Sequence, residues 1–350
     1  MQKTMRALVK YANRDDAVEI RDVPVPSIGP NDVLLETKAV GVCGWDIEMW
    51  RHTMANPVTV PVIQGHEFCG VVREAGSGID DFRPGDRVVC ETSAVVCGKC
   101  RMCATGNYHL CPDRKGFGYG VDGAFTEYVK VRRACLHRLP ETVDFDHACL
   151  TEPACVAYQA LVVMSRILPG MTVVVIGPGP MGLMAVQMAR ICGAGRILAV
   201  GTGRSPARLE AAAALGADTV VNSAVQDPEP VIMDATGGEG APLIVDAAGN
   251  SATLQLAVTT VARLGQITKI GWGPKPAGVS LDPLIAKGAS LQGTFSHNWP
   301  TWEAVIALIS RGRLDMEPVI SHRITLDQWR DTFDDVENGR GIKAVMQFNR

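Results

Sequence analysis

The sequence predicts an α/β chain built on a doubly wound parallel sheet, with a β-rich part ahead of it. Three observations point there. Five β-branched residues, Thr172–Ile176, run into Gly177-Pro178-Gly179-Pro180-Met181-Gly182 and then into an apolar helical pattern. Strand-like and helix-like segments alternate from there to Gly293. Before residue 150, by contrast, short strand patterns are punctuated by Pro24, Pro26, Gly29-Pro30 and Asn31.

The helical pattern after the turn places Met181, Met184, Ala185, Met188 and Ile191 on one face. It stops at Cys192-Gly193, where glycine can supply a left-handed cap. A strand at Ile197–Val200 completes a βαβ unit. In such a G-x-G-x-x-G turn, Gly177 allows the tight bend and Gly179 lets a pyrophosphate approach the backbone. Gly182 lets helix and strand pack closely. The helix start at Pro180-Met181 turns unpaired N–H groups and a positive dipole toward phosphates. Dinucleotide binding on a Rossmann sheet is therefore expected.

An NAD site usually carries an acidic residue after the second strand, for the ribose 2′-hydroxyl. This chain reads Gly201-Thr202-Gly203-Arg204-Ser205-Pro206-Ala207-Arg208 instead. With no carboxylate to repel a 2′-phosphate and two arginines to pair with it, NADP is expected ahead of NAD.

Further along, an alanine-rich helix is expected at Ala207–Leu215, ending at Gly216. Strands follow at Thr219–Val221, Leu243–Asp246, Gln266–Ile270 and around Ser290–Gly293. Ligands of such sheets lie beyond the strand C-termini. The loops Ala247-Ala248-Gly249 and Ile270-Gly271-Trp272-Gly273 are thus expected to touch ribose and nicotinamide.

In the first part, strands are expected at Ala7–Lys10, Ala17–Asp22 and Asp32–Val40. They lead to two clusters of metal-binding residue types. Cys43, in Gly41-Val42-Cys43-Gly44-Trp45-Asp46, is followed by Gly65-His66-Glu67. A thiolate, an imidazole and a carboxylate suit zinc with a fourth position left open, and Asp46 can hold the free imidazole N–H of His66. The second cluster is Cys97, Cys100 and Cys103 at two-residue gaps, then Cys111. That spacing suits a closed all-thiolate zinc site, relaxed by Gly98 and Gly106; it staples a loop and does no chemistry.

Composition narrows the classes. A chain of 350 residues, 47% hydrophobic and 20% charged, suggests about two ordinary globular domains. A net charge of −3 gives no electrostatic case for nucleic acid or an anionic membrane. No apolar run is long enough to span a bilayer. The opening MQKTMRALVKYANRDD lacks a secretory signal, and the odd count of 11 cysteines favours metal ligation and free thiols over disulfides. A cytoplasmic location is expected.

These residues together carry a family resemblance. The chain resembles the medium-chain zinc-dependent alcohol dehydrogenases, in the branch of sorbitol and threonine dehydrogenases and ketose reductases. The resemblance covers nearly the whole length. It rests on GVCGWD, GHEFCGVV, the four-cysteine lobe, DGAFTEYV at Asp122–Val129, TEPACVAYQAL at Thr151–Leu161, and GPGPMG. The run Thr202–Pro206 is similar to that of the NADP-linked ketose reductases.

The resemblance implies a GroES-like catalytic domain formed by 1–154 and 295–350, interrupted by an NADP-binding Rossmann domain at 155–294. The active site is expected in the cleft between them. It implies one catalytic zinc held by Cys43, His66 and Glu67, with Glu152 facing the metal directly or through water and the two glutamates unranked. A second, structural zinc belongs to the four cysteines. A helix near Trp302–Leu308, a final strand at Ile342–Phe348, and cofactor contacts from Phe295 and Lys343 complete the expectation. So does a homodimer or homotetramer acting on a small alcohol or ketone.

Hydride transfer between NADP(H) and a secondary alcohol or ketone, of a polyol, sugar or cyclitol derivative, is the reaction implied. Two departures stand out. Trp45 occupies the position where the branch usually has a proton-passing Ser or Thr, and Glu48 the position where histidine is common. Either water passing by Glu48 or Glu152 replaces that path, or the reaction needs less proton shuttling. Trp45 itself either narrows the pocket or turns away into the core. Where sorbitol dehydrogenases carry an Arg-Tyr pair, this chain has Phe295-Ser296-His297-Asn298-Trp299, with His297 and Asn298 as polar candidates. Phe117, Tyr119 and Trp272 are further lining candidates. Two rivals remain: an NADPH-dependent reductase of an activated C=C bond, and a non-catalytic nucleotide-binding protein.

Overall fold

Two compact units divide the chain in the computed structural model, which describes residues 3–54, 57–203, 205–273 and 275–348. The first comprises Met1–Glu152, Asn298–Gly312 and Ile320–Arg350; the second comprises Pro153–His297 and Arg313–Val319.

The first unit is β-rich because its chain is cut into short extended runs. Thr4–Lys10 lies between Val18–Pro24 and Val62–Ile63 in an antiparallel sheet of three. A second sheet has the order Ile320–Ile324, Lys343–Gln347, Asp32–Val42, Glu67–Ala75, Arg87–Cys90, Leu136–Arg138, with Tyr128–Arg132 also paired to Asp32–Val42. The 11-residue strand Asp32–Val42 is the hub, pairing with three others. Its interior is a continuous apolar cluster that includes Leu35, Val40, Phe68, Phe125 and Met346. Trp50, Trp329 and Phe333 meet edge-on within it, with ring centroids 5.4 to 6.0 Å apart, a favoured aromatic geometry.

The second unit carries six parallel strands in the order Thr219–Asn222, Arg196–Gly201, Thr172–Ile176, Ala241–Asp246, Val261–Lys269, Ser290–Gly293. This is the dinucleotide-fold order, reversing direction at Thr172–Ile176. The helix Pro180–Ile191 is longer than its apolar face alone defines, because Pro180 is tolerated at its first position and Gly193 (φ 90°) closes it. The alanine-rich helix runs over Pro206–Ala214. Arg313–Val319 belongs with this unit rather than with the first. Its anchor is Gln187, a buried helix residue whose amide donates to the Asp315 carbonyl at 3.0 Å and accepts from the Asp315 N–H at 2.8 Å.

Candidate active site

Cys43 follows the hub strand directly and caps the helix Gly44–Arg51. Three residues on, Asp46 accepts a hydrogen bond from the Cys43 N–H at 2.9 Å, satisfying an otherwise orphaned helix donor. The other Asp46 oxygen lies 3.7 Å from Nδ1 of His66. Asp46 is fully buried, so one carboxylate fixes both the cap and the imidazole's surroundings. Gly65 (φ 94°) turns the chain so that His66 and Glu67 follow at the start of the neighbouring strand. Gly41 pairs with Glu67 in the ladder, and a Cβ there would run into the Glu67 carboxylate.

One ligand atom each from Cys43, His66 and Glu67 falls within a 4.8 Å cluster. His66 Nδ1, Asp46 Oδ1 and Glu67 Oε2 are buried without a directed hydrogen bond. Sulfur, nitrogen and oxygen donors with orphaned buried atoms fit a zinc ion. Glu152, in the first turn of the helix Thr151–Tyr158, is not in the three-residue cluster, but its charge is felt there.

Electrostatics at the cluster are strong. Burial pushes the Cys43 thiol up, against the pull of His66. Burial opposes a charge on His66, but Asp46 and Cys43 together hold the imidazole well above its ordinary value. Glu67 is raised by burial, an effect Lys343 opposes and Glu152 adds to. Lys343, expected as a cofactor contact, is placed by the structure in the wall of this cluster. Its Nζ is 2.6 Å from both Glu67 oxygens and is hydrogen-bonded to Oε1. Burial works against its charge, but Glu67 and Cys43 prevail and keep it an ammonium.

Trp45 packs beside the apolar cluster of Met49, Val58 and Val62, and its ring meets Tyr119 edge-on at 6.0 Å. Glu48 is exposed, and partial burial raises its carboxyl above the ordinary range. Phe117 is a core residue, edge-on to Phe68 at 5.2 Å. Neither polar candidate of the returning segment is presented as a free hydrogen-bonding group: His297 is fully buried, and Asn298 is the first-turn cap of Trp299–Ser310, accepting from Thr301 at 3.1 Å. Asn298 also donates to the Gly106 carbonyl at 3.3 Å.

The four cysteines also converge, with Cys97, Cys100, Cys103 and Cys111 sulfurs inside 4.8 Å of one another. Backbone N–H groups of Cys100 and Cys97 donate to sulfurs of Cys97 and Cys111, each at 3.3 Å. Hydrogen bonds from Lys99 and Cys100 lower the Cys97 thiol to about 7, whereas burial pushes Cys103 to about 12. Gly98 (φ 70°) and Gly106 (φ 76°) make the loop's reversals.

On the second unit, a Cβ at Gly177 would strike Ala248, and one at Gly182 would strike the Gly177 carbonyl. Gly179 has open space, its nearest neighbour being an Arg208 nitrogen 4.0 Å from where a Cβ would lie. Pro180 and Met181 open the helix. Thr202 and Gly203 follow the second strand, Gly203 turning beside Asn222. Ser205 caps the next helix; Arg204 lies outside the described residues.

Asp246, not singled out from sequence, organises the next loop. Its carboxylate accepts from the N–H groups of Ala248 (3.2 Å) and Gly249 (3.0 Å), and its carbonyl from Ile270 (2.9 Å) and Gly271 (3.0 Å). Ala247–Gly249 and Ile270–Trp272 are thereby drawn together. Trp272 is 60% exposed, with its ring 5.9 Å from that of Phe295. The signal available in sequence was an acid at a strand's C-terminal end, just before small residues.

Comparison with known proteins agrees with this arrangement. Residues 29–141 match the alcohol dehydrogenase GroES-like domain, and residues 180–311 match the zinc-binding dehydrogenase domain. A D-arabitol-phosphate dehydrogenase of Enterococcus avium is 32% identical over 100% of this chain and 99% of its own. A sorbitol dehydrogenase of Halalkalibacterium halodurans is 33% identical over 98% of this chain and 99% of its own. A zinc-binding dehydrogenase-type protein from Sinorhizobium meliloti 1021, solved bound to NADP, superimposes with a TM-score of 0.92 at 28% identity. That match covers 99% of this chain and 100% of the other. Among the described residues no helix is long and apolar enough to cross a membrane. With a GroES-like unit, a parallel nucleotide-type sheet and two clusters of zinc-type ligands, the chain belongs to the zinc-dependent alcohol dehydrogenase family.

Proposed function

We propose that this enzyme transfers a hydride between NADP(H) and a secondary alcohol or ketone of a polyol, sugar or cyclitol derivative. The observation that carries the reading is the buried cluster of Cys43, His66 and Glu67, three different zinc donors beside Lys343. In this reading Cys43, His66 and Glu67 hold the catalytic zinc, Glu152 stands nearby, and Cys97, Cys100, Cys103 and Cys111 hold a structural one. When bound, zinc polarises the carbonyl or acidifies the alcohol, and the nicotinamide supplies or accepts the hydride.

The chain's own residues do the rest. Asp46 orients His66, Lys343 opposes the loss of charge that burial imposes on Glu67, and water passing by Glu48 or Glu152 carries the alcohol proton. Gly177, Gly179 and Gly182, with the N–H groups at Pro180–Met181, seat the pyrophosphate. Thr202, Gly203, Arg204, Ser205 and Arg208 receive the 2′-phosphate. Ala247–Gly249, Ile270–Trp272 and Phe295 flank ribose and nicotinamide. Support for NADP is the absence of an acid after Gly201 and the presence of Arg204 and Arg208 in the segment that follows. The reading includes a cytoplasmic homodimer or homotetramer.

The test is metal content together with cofactor absorbance, screening NADP and NAD against polyols, cyclitols, sugars, their ketones and enones. Two zincs per chain with NADP-dependent turnover of a secondary alcohol is the expected result. Turnover of enones alone would overturn it in favour of C=C reduction, and tight NADPH binding with no turnover would favour a binding protein.

A further inference from the structure

We infer that Tyr119 is a specificity-determining residue, donating its phenolic hydrogen bond to an oxygen of the substrate distal to the reacting carbon. The inference rests on the dehydrogenase reading above and names how that site selects an oxygen-rich substrate.

Tyr119 stands beside both stretches that bear the catalytic ligands. Trp45, two residues after Cys43, meets its ring edge-on at 6.0 Å. The preceding residue, Gly118, is pressed against Gly65: a Cβ on Gly118 would lie 3.0 Å from the Gly65 nitrogen, one residue before His66. The Tyr119 carbonyl accepts from the Thr59 N–H at 3.0 Å, fixing the turn from its other side.

The hydroxyl is fixed as well. Arg114 donates to the Tyr119 oxygen from Nη1 at 2.6 Å. The same guanidinium donates to Ser93 Oγ at 3.1 Å and to Thr92 Oγ1 at 2.9 Å, both buried residues. Three donors of a rigid, planar fork are thereby clamped, and the phenol oxygen is clamped with them. A phenol accepting from a cation keeps its own O–H to give away, because it is both donor and acceptor.

That proton has no acceptor among the described residues. Tyr108 provides the contrast: its hydroxyl is used up by the Glu91 carboxylate, at 2.8 Å from both oxygens. Trp45 adds an apolar wall held by packing alone, since its buried Nε1 has no partner among the described residues. An aromatic corner with an O–H donor packed against Gly116 and backed by a guanidinium suits a substrate oxygen rich in lone pairs. A chain hydroxyl and a phosphate ester both offer one.

Tyr119→Phe removes one oxygen and keeps the ring. Its oxidation of sorbitol and of sorbitol 6-phosphate is measured beside that of 2-butanol, which has no second oxygen. The expected result is a kcat/KM ratio, polyol over 2-butanol, that falls about tenfold, carried mainly by KM. A larger fall for the phosphate ester assigns the oxygen to phosphate; equal falls for the two polyols assign it to a hydroxyl. Equal losses on all three alcohols overturn the inference. Arg114→Met, which leaves the phenol unclamped, is expected to shift the same ratio about threefold. If no alcohol is oxidised, it is the dehydrogenase reading that fails. Calorimetry of sorbitol and its phosphate with the NADP-loaded protein then decides for Tyr119: binding about tenfold weaker in Tyr119→Phe supports it, and equal or no binding in both proteins overturns it.

Discussion

Lys343 and Glu67, 276 residues apart, form a buried ion pair with Nζ 2.6 Å from Oε1. Lys343→Met therefore leaves a carboxylate buried without its cation. In metal-free protein this is expected to cost ~3–5 kcal/mol, the usual penalty for breaking a buried pair from one side. With zinc bound the cation replaces the missing charge, so the loss shrinks. Urea unfolding of both forms checks this; equal losses would mean that Glu67 does not face the metal.

Cys97→Ser is expected to lower zinc by one equivalent per chain and to expose the 97–111 loop to protease. NADP affinity should change little, because the four-cysteine cluster lies within the first unit. Elemental analysis and limited proteolysis on one sample test both halves. Retention of all the zinc would assign the four thiols another role.

Arg208→Ala should weaken NADP binding about 10- to 100-fold, in line with ~1.5–3 kcal/mol for hydrogen bonds to a charged group, and barely affect NAD. Fluorescence titration with each cofactor reads the ratio. The same loss for both would place Arg208 on the shared pyrophosphate.

Asp16 gives a pH signature away from the site. Its carboxylate accepts from Trp50 Nε1 at 2.7 Å and pairs with Arg330 at 2.8 Å. The Trp50 hydrogen bond, then Arg330, hold it below its ordinary 3.8. A depressed folded pKa means stability present above 3.8 and lost as pH falls through the folded value. Asp16→Asn should lower Tm at pH 7, and the gap should close as the pH falls from 3.8 through the lower folded value. A gap independent of pH would deny the charge any part.

Much of this was legible in sequence because it is local. Thr172–Ile176, the glycine turn and the capped helix are one continuous run, and the four cysteines lie within fifteen residues. Short ranges leave little freedom, so spacing speaks for geometry. The Lys343–Glu67 pair was hidden for the opposite reason: a lone lysine in a late strand has no local mark of a partner 276 residues away. Asp246 was passed over because its role lies in accepting four backbone N–H groups, which leaves no periodic trace. The helix Gly44–Arg51 is short, with charged residues among its apolar ones, and periodicity alone does not find it.

The strand Lys343–Gln347 pairs with the hub strand Asp32–Val42 and lies between it and Ile320–Ile324. A ribosome delivers these neighbours far apart in time: at ~5–20 residues per second the hub waits tens of seconds for its partner. The six parallel strands emerge in between and can complete their own sheet meanwhile. Until Lys343 arrives, Glu67 lacks its ammonium partner although Cys43, His66 and Glu67 are all already made, so early metal capture would take place in a half-built pocket. Newly made chains are therefore expected to be most vulnerable to aggregation and mismetallation in that interval, and chaperone demand should fall on the first unit.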